Sequence, residues 1–290
     1  MNRASLIKRI IIGSANFTQE YGIIKKKINL NEIKKILNLA KKNKINLIDT
    51  AESYLNKNDV YKKINNKFKF SSKILPDKKW ISLDFCQKKL KDHFKNLKSE
   101  KIEIIHFHDT KILFTEHGPK IFNNLEKLKK KNYFNKIGLS IYDTDVLNYI
   151  TNHYNFDIVQ CPYNVLDQRI LTTGWFNKLK KLGIEVHVRS IFLQGLLVKK
   201  EFHEMKHFKK WKKKISSWFN WLENNNISPV DFCFSDLLKY DFDRVLIGVN
   251  NIDNLKEIIN FKKVNANKTF NFNTDDNNLI DPRKWKLNEI

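Results

Sequence analysis

The chain has 290 residues, 41% of them hydrophobic and 12% aromatic, and carries a formal net charge of +23. That apolar content excludes a disordered chain and suffices for a sizeable core. Six of the 54 basic residues are arginines and 48 are lysines; a polyanion reader leans on the arginine fork, so the charge, with Asn and Ile also abundant, reads as nucleotide bias on a solvated surface.

In chain order, the basic start "MNRASLIKRIIIGSANF" holds too short an apolar run for a signal peptide and reads as a first strand. The segment "NEIKKILNLAKK" places Ile33, Ile36, Leu37 and Ala40 on one helical face, with Asn31 as N-cap. "INLID" is a second strand, followed by a short helix around Val60 and Ile64, and "KFKFSSKI" is a third. "ISLDFCQKKLKDHFKNL" carries Leu83, Cys86, Leu90, Phe94 and Leu97 on one stripe before the fourth strand, "KIEIIHFH". The helix "KIFNNLEKLKKK" leads to the strand "NKIGLS"; Asp143 caps "DTDVLNYI", which leads to the strand "DIVQCPY". A helix around Phe176 and Leu179 precedes "IEVHVRSI", and a Lys- and Trp-rich helical excursion runs from about Glu204 to Asn224. Ser228 caps a helix with Pro229 at its first position and Asp231 in its first turn. The strand "RVLIG" and the helix "NIDNLKEII" close the series.

Eight strands, each followed by a helix, imply a parallel sheet. At this length the expected fold is α/β, a (β/α)8 TIM barrel, with an open doubly wound sheet as the alternative. No Pro/Gly/Ser-rich linker divides the chain, so residues 1–290 read as one domain with an irregular extension over about 265–290. Cys86, Cys161 and Cys233 are widely spaced and none sits at zinc-ligand spacing, which fits reduced thiols in a cytoplasmic protein and no metal. No stretch approaches the ~20 apolar residues of a membrane helix. No two of the glycines lie close enough for GxGxxG or a P-loop.

A barrel gathers its active site where the strands end. The second strand ends in Asp49 with Tyr54 just beyond, the third in Lys73, the fourth in His108, the fifth in Ser140. The sixth carries Gln160 with Asn164 past it, and the seventh ends in Arg189 and Ser190. Singly, each has a plain structural role available: an Asp as a turn former, a Lys reaching for water, a His filling the interior. Jointly they form a chemical unit. A free phenol ionises near ~10 and donates a proton poorly. A neighbouring ammonium favours the phenolate, and a carboxylate keeps that ammonium charged when buried. Asp49 would thus charge Lys73, Lys73 would tune Tyr54, and a neutral His108 would orient a carbonyl oxygen for protonation as hydride reaches carbon.

At these residues the chain resembles the aldo/keto reductases. "IDTAESY" is similar to the family's Asp-Thr-Ala segment with its tyrosine, "SSKI" to the lysine strand, and "IEIIHFHDT" to the histidine strand, whose spacing selects His108 over His106. "GSANFTQEYG", "NKIGLSIY", "IVQCPYNVLDQR", "VRSIFLQGLL" and "VLIGVNNIDNL" continue the resemblance in order. It implies an NADPH cofactor, or NADH, lying across the barrel mouth and a small carbonyl substrate. Ser140 and Gln160 would hold the nicotinamide carboxamide; Leu193, Gln194 and Gly195 would approach the pyrophosphate; Asn250, Asn251 and Asn254 would meet the adenosine. Arg189 stands where many members stack an aromatic ring on the nicotinamide, and Asn251 where NADP-preferring members often carry arginine. Thr18 and Leu55 replace common glycines at the expected substrate mouth. Two rival readings are a reductase-like regulatory or sensor subunit and a polyanion-binding protein; the intact catalytic set argues against the first, the arginine poverty against the second.

Overall fold

A computed structural model of the chain describes residues 1–55, 60–64, 68–99, 101–265 and 272–287. Eight parallel strands close into a barrel in chain order: β1 (Ile10–Gly13), β2 (Leu47–Ala51), β3 (Lys69–Ile74), β4 (Ile102–Phe107), β5 (Phe134–Ser140), β6 (Ile158–Pro162), β7 (Glu185–Arg189) and β8 (Arg244–Ile247). β8 returns to β1 with Ile10 opposite Val245. The (β/α)8 barrel expected from the alternation is the fold observed.

Side-chain alternation along the strands decides what fills the barrel. Ile11, Leu47, Ile104 and Ile158 form a small apolar cluster separate from the main core, with Leu246 against it. Their neighbours Ile10, Ile12, Ile48, Ile105 and Val159 belong to the other, larger cluster between sheet and helices. Two residues beyond the interior cluster, the inward positions turn polar: Leu47 gives way to Asp49, Ile104 to His106, and Ile158 to Gln160. The acid after an apolar strand is the next inward position of the same strand.

The helices follow their caps. Leu30–Lys42 begins at Asn29, whose side chain accepts from Glu32 N at 2.9 Å. Asn31, the cap expected from the sequence, lies inside the helix; an aspartate or asparagine either side of the start suits the same pattern. Val146–His153 starts after Asp145, not at Asp143, which accepts instead from Asp145 N at 3.3 Å in the preceding turn. Ser228 caps Pro229–Leu237 as expected, accepting from Asp231 N at 3.1 Å. The N-terminal segment adds a helix, Arg3–Lys8, capped by Asn2, before β1 begins. The excursion after β7 is less regular than its length suggested. Short 3-10 turns at Lys200–Glu204 and Lys206–Trp211 precede the α-helix Lys212–Asn224, because Met205 is extended.

The described part of the C-terminal extension is tied down. It contains the helix Asn277–Ile280 and the turn Pro282–Lys284. Trp211 Nε1 donates to Asp276 at 2.8 Å, and Arg169 donates to Asn277 at 2.8 Å. A cavity of about 600 Å³ opens at the N-terminal end of the strands, lined by Arg9, Lys136, Glu185 and Asp243 among others. It lies opposite the strand ends where the reactive groups gather. Among the described residues, no helix is long and apolar enough to cross a membrane, and no group of three or more His, Cys, Asp or Glu could hold a metal.

Candidate active site

Asp49 sits on β2 in register with Ser71 of β3, and Ala51 pairs with Lys73. That offset brings Lys73 Nζ onto Asp49 Oδ1 in a buried ion pair. Ser71 Oγ and Gln160 Nε2 each donate to Asp49 Oδ2 at 3.2 Å. The carboxylate therefore meets three donors from β3 and β6, as a buried charge requires. Burial pulls the Lys73 ammonium below its usual range, and Asp49 opposes that pull by charge and hydrogen bond.

His106 lies wholly buried below the pair, its Nε2 3.1 Å from Ser71 Oγ. Because Ser71 spends its proton on Asp49, His106 must donate from Nε2, which fixes the tautomer. The ring fits because β5 carries Gly138 beside it: a Cβ there would stand 2.1 Å from His106 Nδ1. His108, one step past β4, is half-buried at the mouth, its backbone N–H on Ile74 O at 2.8 Å. Burial, then the Lys73 charge, lower its pKa to about 4, so it is neutral at physiological pH. His106 therefore lies in the interior and His108 at the rim.

Tyr54 falls in the single turn Glu52–Leu55 that follows β2. Burial first, then Tyr21, Asp49, Tyr142 and Tyr61, raise its phenol well above the usual value. Among the described residues no hydrogen bond joins Tyr54 to Lys73, whose ammonium faces Asp49. Thr18 and Leu55 are buried, Leu55 in the main hydrophobic core.

Ser140 and Gln160 stand opposite each other across β5 and β6. Gln160 is fully buried, yet among the described residues its Oε1 has no partner. An orphaned buried acceptor needs an N–H donor, which a carboxamide provides. Beyond β7 the chain takes positive φ at Ser190, Leu193, Gln194 and Gly195. At Ser190, Leu193 and Gln194, which carry side chains, that conformation is strained in the way loops at ligand sites often are. Arg189 donates to Ile141 O at 2.9 Å and Ser190 Oγ at 3.3 Å, and its guanidinium lies 3.9 Å from the centre of the Tyr142 ring. Tyr142, Tyr21 and Arg283 at this mouth had no sequence signal strong enough to single them out, since each lies in a loop or in the tail.

The three asparagines after β8 form a separate group. Asn251 caps the helix Ile252–Ile259, accepting from Asn254 N at 2.8 Å. Asn254 accepts from Asn250 N at 3.2 Å, and Asn16 donates to Asn250 at 3.0 Å. Glu32, from the first barrel helix, accepts from Ile252 N at 2.6 Å. A carboxylate thereby occupies the N-terminus of the last barrel helix, a contact across 220 residues of sequence.

The aldo/keto reductase family model matches residues 9–281. The chain belongs to the aldo/keto reductase family. Its barrel is similar to a glycerol dehydrogenase from Gluconobacter oxydans, at a TM-score of 0.66 and 16% identity over 90% of this chain and 88% of that one. It is similar also to the holo form of an aldo-keto reductase from Bacillus halodurans, at 0.67 and 18% identity over 90% and 89%. No curated protein matches the sequence. At these identities the structural likeness carries the fold, and the family match makes this aldo/keto reductase an oxidoreductase.

Proposed function

We propose that this aldo/keto reductase reduces an aldehyde or ketone with NAD(P)H. The observation that carries the reading is the buried Asp49–Lys73 ion pair beside a neutral His108 and a phenol, Tyr54, that keeps its proton at neutral pH. When bound, the reduced nicotinamide supplies the hydride. His108 donates to the carbonyl oxygen and orients it. Tyr54 gives its proton to that oxygen, and the resulting phenolate recovers a proton from water. Gln160 Oε1 and Ser140 would hold the carboxamide of the cofactor, the Leu193–Gly195 turn its pyrophosphate, and Arg189 the mouth above the ring. Three free, buried thiols support a reducing, cytoplasmic setting.

For the adenosine end, the geometry favours NADH over the NADPH that the resemblance implies first. Asn250, Asn251 and Asn254 are the residues assigned to that end, and Glu32 adds a carboxylate to the same helix terminus. A carboxylate there repels a 2′-phosphate and accepts well from a 2′-hydroxyl. The test is a titration of each reduced cofactor, read by tryptophan fluorescence, followed by a panel of carbonyl compounds. Cofactor oxidation matched by alcohol formation is expected; absence of cofactor binding overturns the reading.

A further inference from the structure

We infer that the carbonyl substrate is itself an anion, and that Arg189 and Arg283 receive its carboxylate or phosphate. The inference rests on the proposed carbonyl reduction and adds the class of compound reduced.

Among the six arginines, Arg189 alone is buried, at 9% exposure, and among the described residues no carboxylate pairs with it. Arg9, Arg169 and Arg283 each hold an aspartate at 2.7, 2.8 and 2.6 Å. Among the described residues Arg189 has two neutral acceptors, Ile141 O and Ser190 Oγ, for a guanidinium with five N–H groups. A buried, unpaired charge is costly unless something else neutralises it. The other charges at this mouth do not. Lys73 and Asp49 satisfy each other, and Asp109 pairs with Lys111 at 3.5 Å.

Arg283 arrives from the C-terminal segment and stacks on the same ring, 3.4 Å from the centre of Tyr142. Two guanidinium carbons at 3.4 and 3.9 Å from one ring centre cannot share a face, so Tyr142 is sandwiched between them. Asp281 grips Arg283 through Nε and Nη2, fixing its plane, and among the described residues Nη1 has no partner. The result is a cation pair held rigidly on an aromatic spacer, with its buried member beside Lys73 and His108, whose protonation it opposes. Rigid guanidinium forks match the planar or tetrahedral oxyanions of carboxylates and phosphates.

The test compares matched substrates with cofactor present. Succinic semialdehyde is set against butanal, and glyceraldehyde 3-phosphate against glyceraldehyde, for the protein and for Arg283→Gln and Arg283→Lys. In at least one pair the anionic member should be favoured about tenfold or more in kcat/KM, mainly through KM, as a charge-assisted contact gives. Arg283→Gln should remove most of that preference while leaving the neutral member within about twofold, and Arg283→Lys should restore part of it. The pair that shows the effect separates carboxylate from phosphate. Equal turnover of both members of both pairs overturns the inference, since a charge at Arg189 would then belong to the cofactor alone. If no carbonyl is reduced at all, the reductase reading fails separately. Calorimetry with succinate and with inorganic phosphate on the cofactor-bound protein then decides: binding weakened by Arg283→Gln sustains the anion site, and no binding removes it.

Discussion

Asp49 is held by three donors, and removing any one has a different consequence. Lys73→Met takes away the only charge and leaves a buried carboxylate with Ser71 and Gln160 alone. That change should cost about 3–5 kcal/mol of stability and abolish reduction. The double variant Asp49→Asn, Lys73→Met should recover most of the stability, because no uncompensated charge remains, yet stay inactive. Urea midpoints of the three proteins measure this; an unaltered midpoint in Lys73→Met would show that the pair is solvated. Tyr54 poses the complementary question. Its phenol is raised by burial and by neighbouring Tyr21 and Asp49, so it is loaded with a proton but reluctant to release it. Tyr54→Phe should lower the rate of reduction by roughly 10²–10⁴, the scale of general acid catalysis, with cofactor affinity retained. Turnover close to that of the parent protein would move the acid to another group, with Tyr21 next in line at the mouth.

Between elements, the contact that most changes the functional reading is Glu32 on Ile252 N. It joins the first and last helices of the barrel, which the closed topology makes neighbours. Glu32→Gln keeps the hydrogen-bonding shape and removes the charge. It should tighten NADPH roughly tenfold relative to NADH, the upper scale of one charge at a helix terminus. Dissociation constants for both cofactors in both proteins read this, and a ratio that does not move would remove Glu32 from cofactor choice. This contact also marks where the sequence stopped being legible. The strands and the inward polar residues follow from periodicity and strand ends, which are local signals, whereas the choice of His108 over His106 rests on the family resemblance. Asp49 with Lys73 was readable because both end neighbouring strands. Glu32 with Ile252, Arg283 with Tyr142, and Gly138 beneath His106 depend on side-chain reach after closure, and no local pattern encodes that. Even the helix caps slipped where several Asn or Asp residues competed, at Asn29 against Asn31 and Asp145 against Asp143.

The molecule as a whole combines a +23 surface with a set of histidines kept neutral inside it. Burial lowers the pKa of His93 to about 4, helped by Lys89, and lowers His106 and His187 as well. His93 is held by Ser72 at 2.7 Å, and His187 by Glu185 at 3.1 Å. Each has a folded-state pKa below its unfolded value of 6.5, so protons bind the unfolded chain preferentially. Stability is then fully present above about pH 6.5 and is lost as pH falls toward the folded-state value. For His93 the loss between pH 7 and pH 5 is about 2 kcal/mol. Glu185, held down to about 2 chiefly by its hydrogen bond from His187, contributes a loss only below its ordinary 4.5. The growing positive charge adds self-repulsion in the same direction. The urea midpoint should therefore fall steeply from pH 7 to pH 5. His93→Gln, which keeps a partner for Ser72 but cannot titrate, should flatten that fall by about 2 kcal/mol even if it lowers stability at neutral pH. A midpoint constant across this range in the parent protein would mean that the interior histidines are charged when folded, and that the barrel's polar layer holds protons the present geometry does not accommodate.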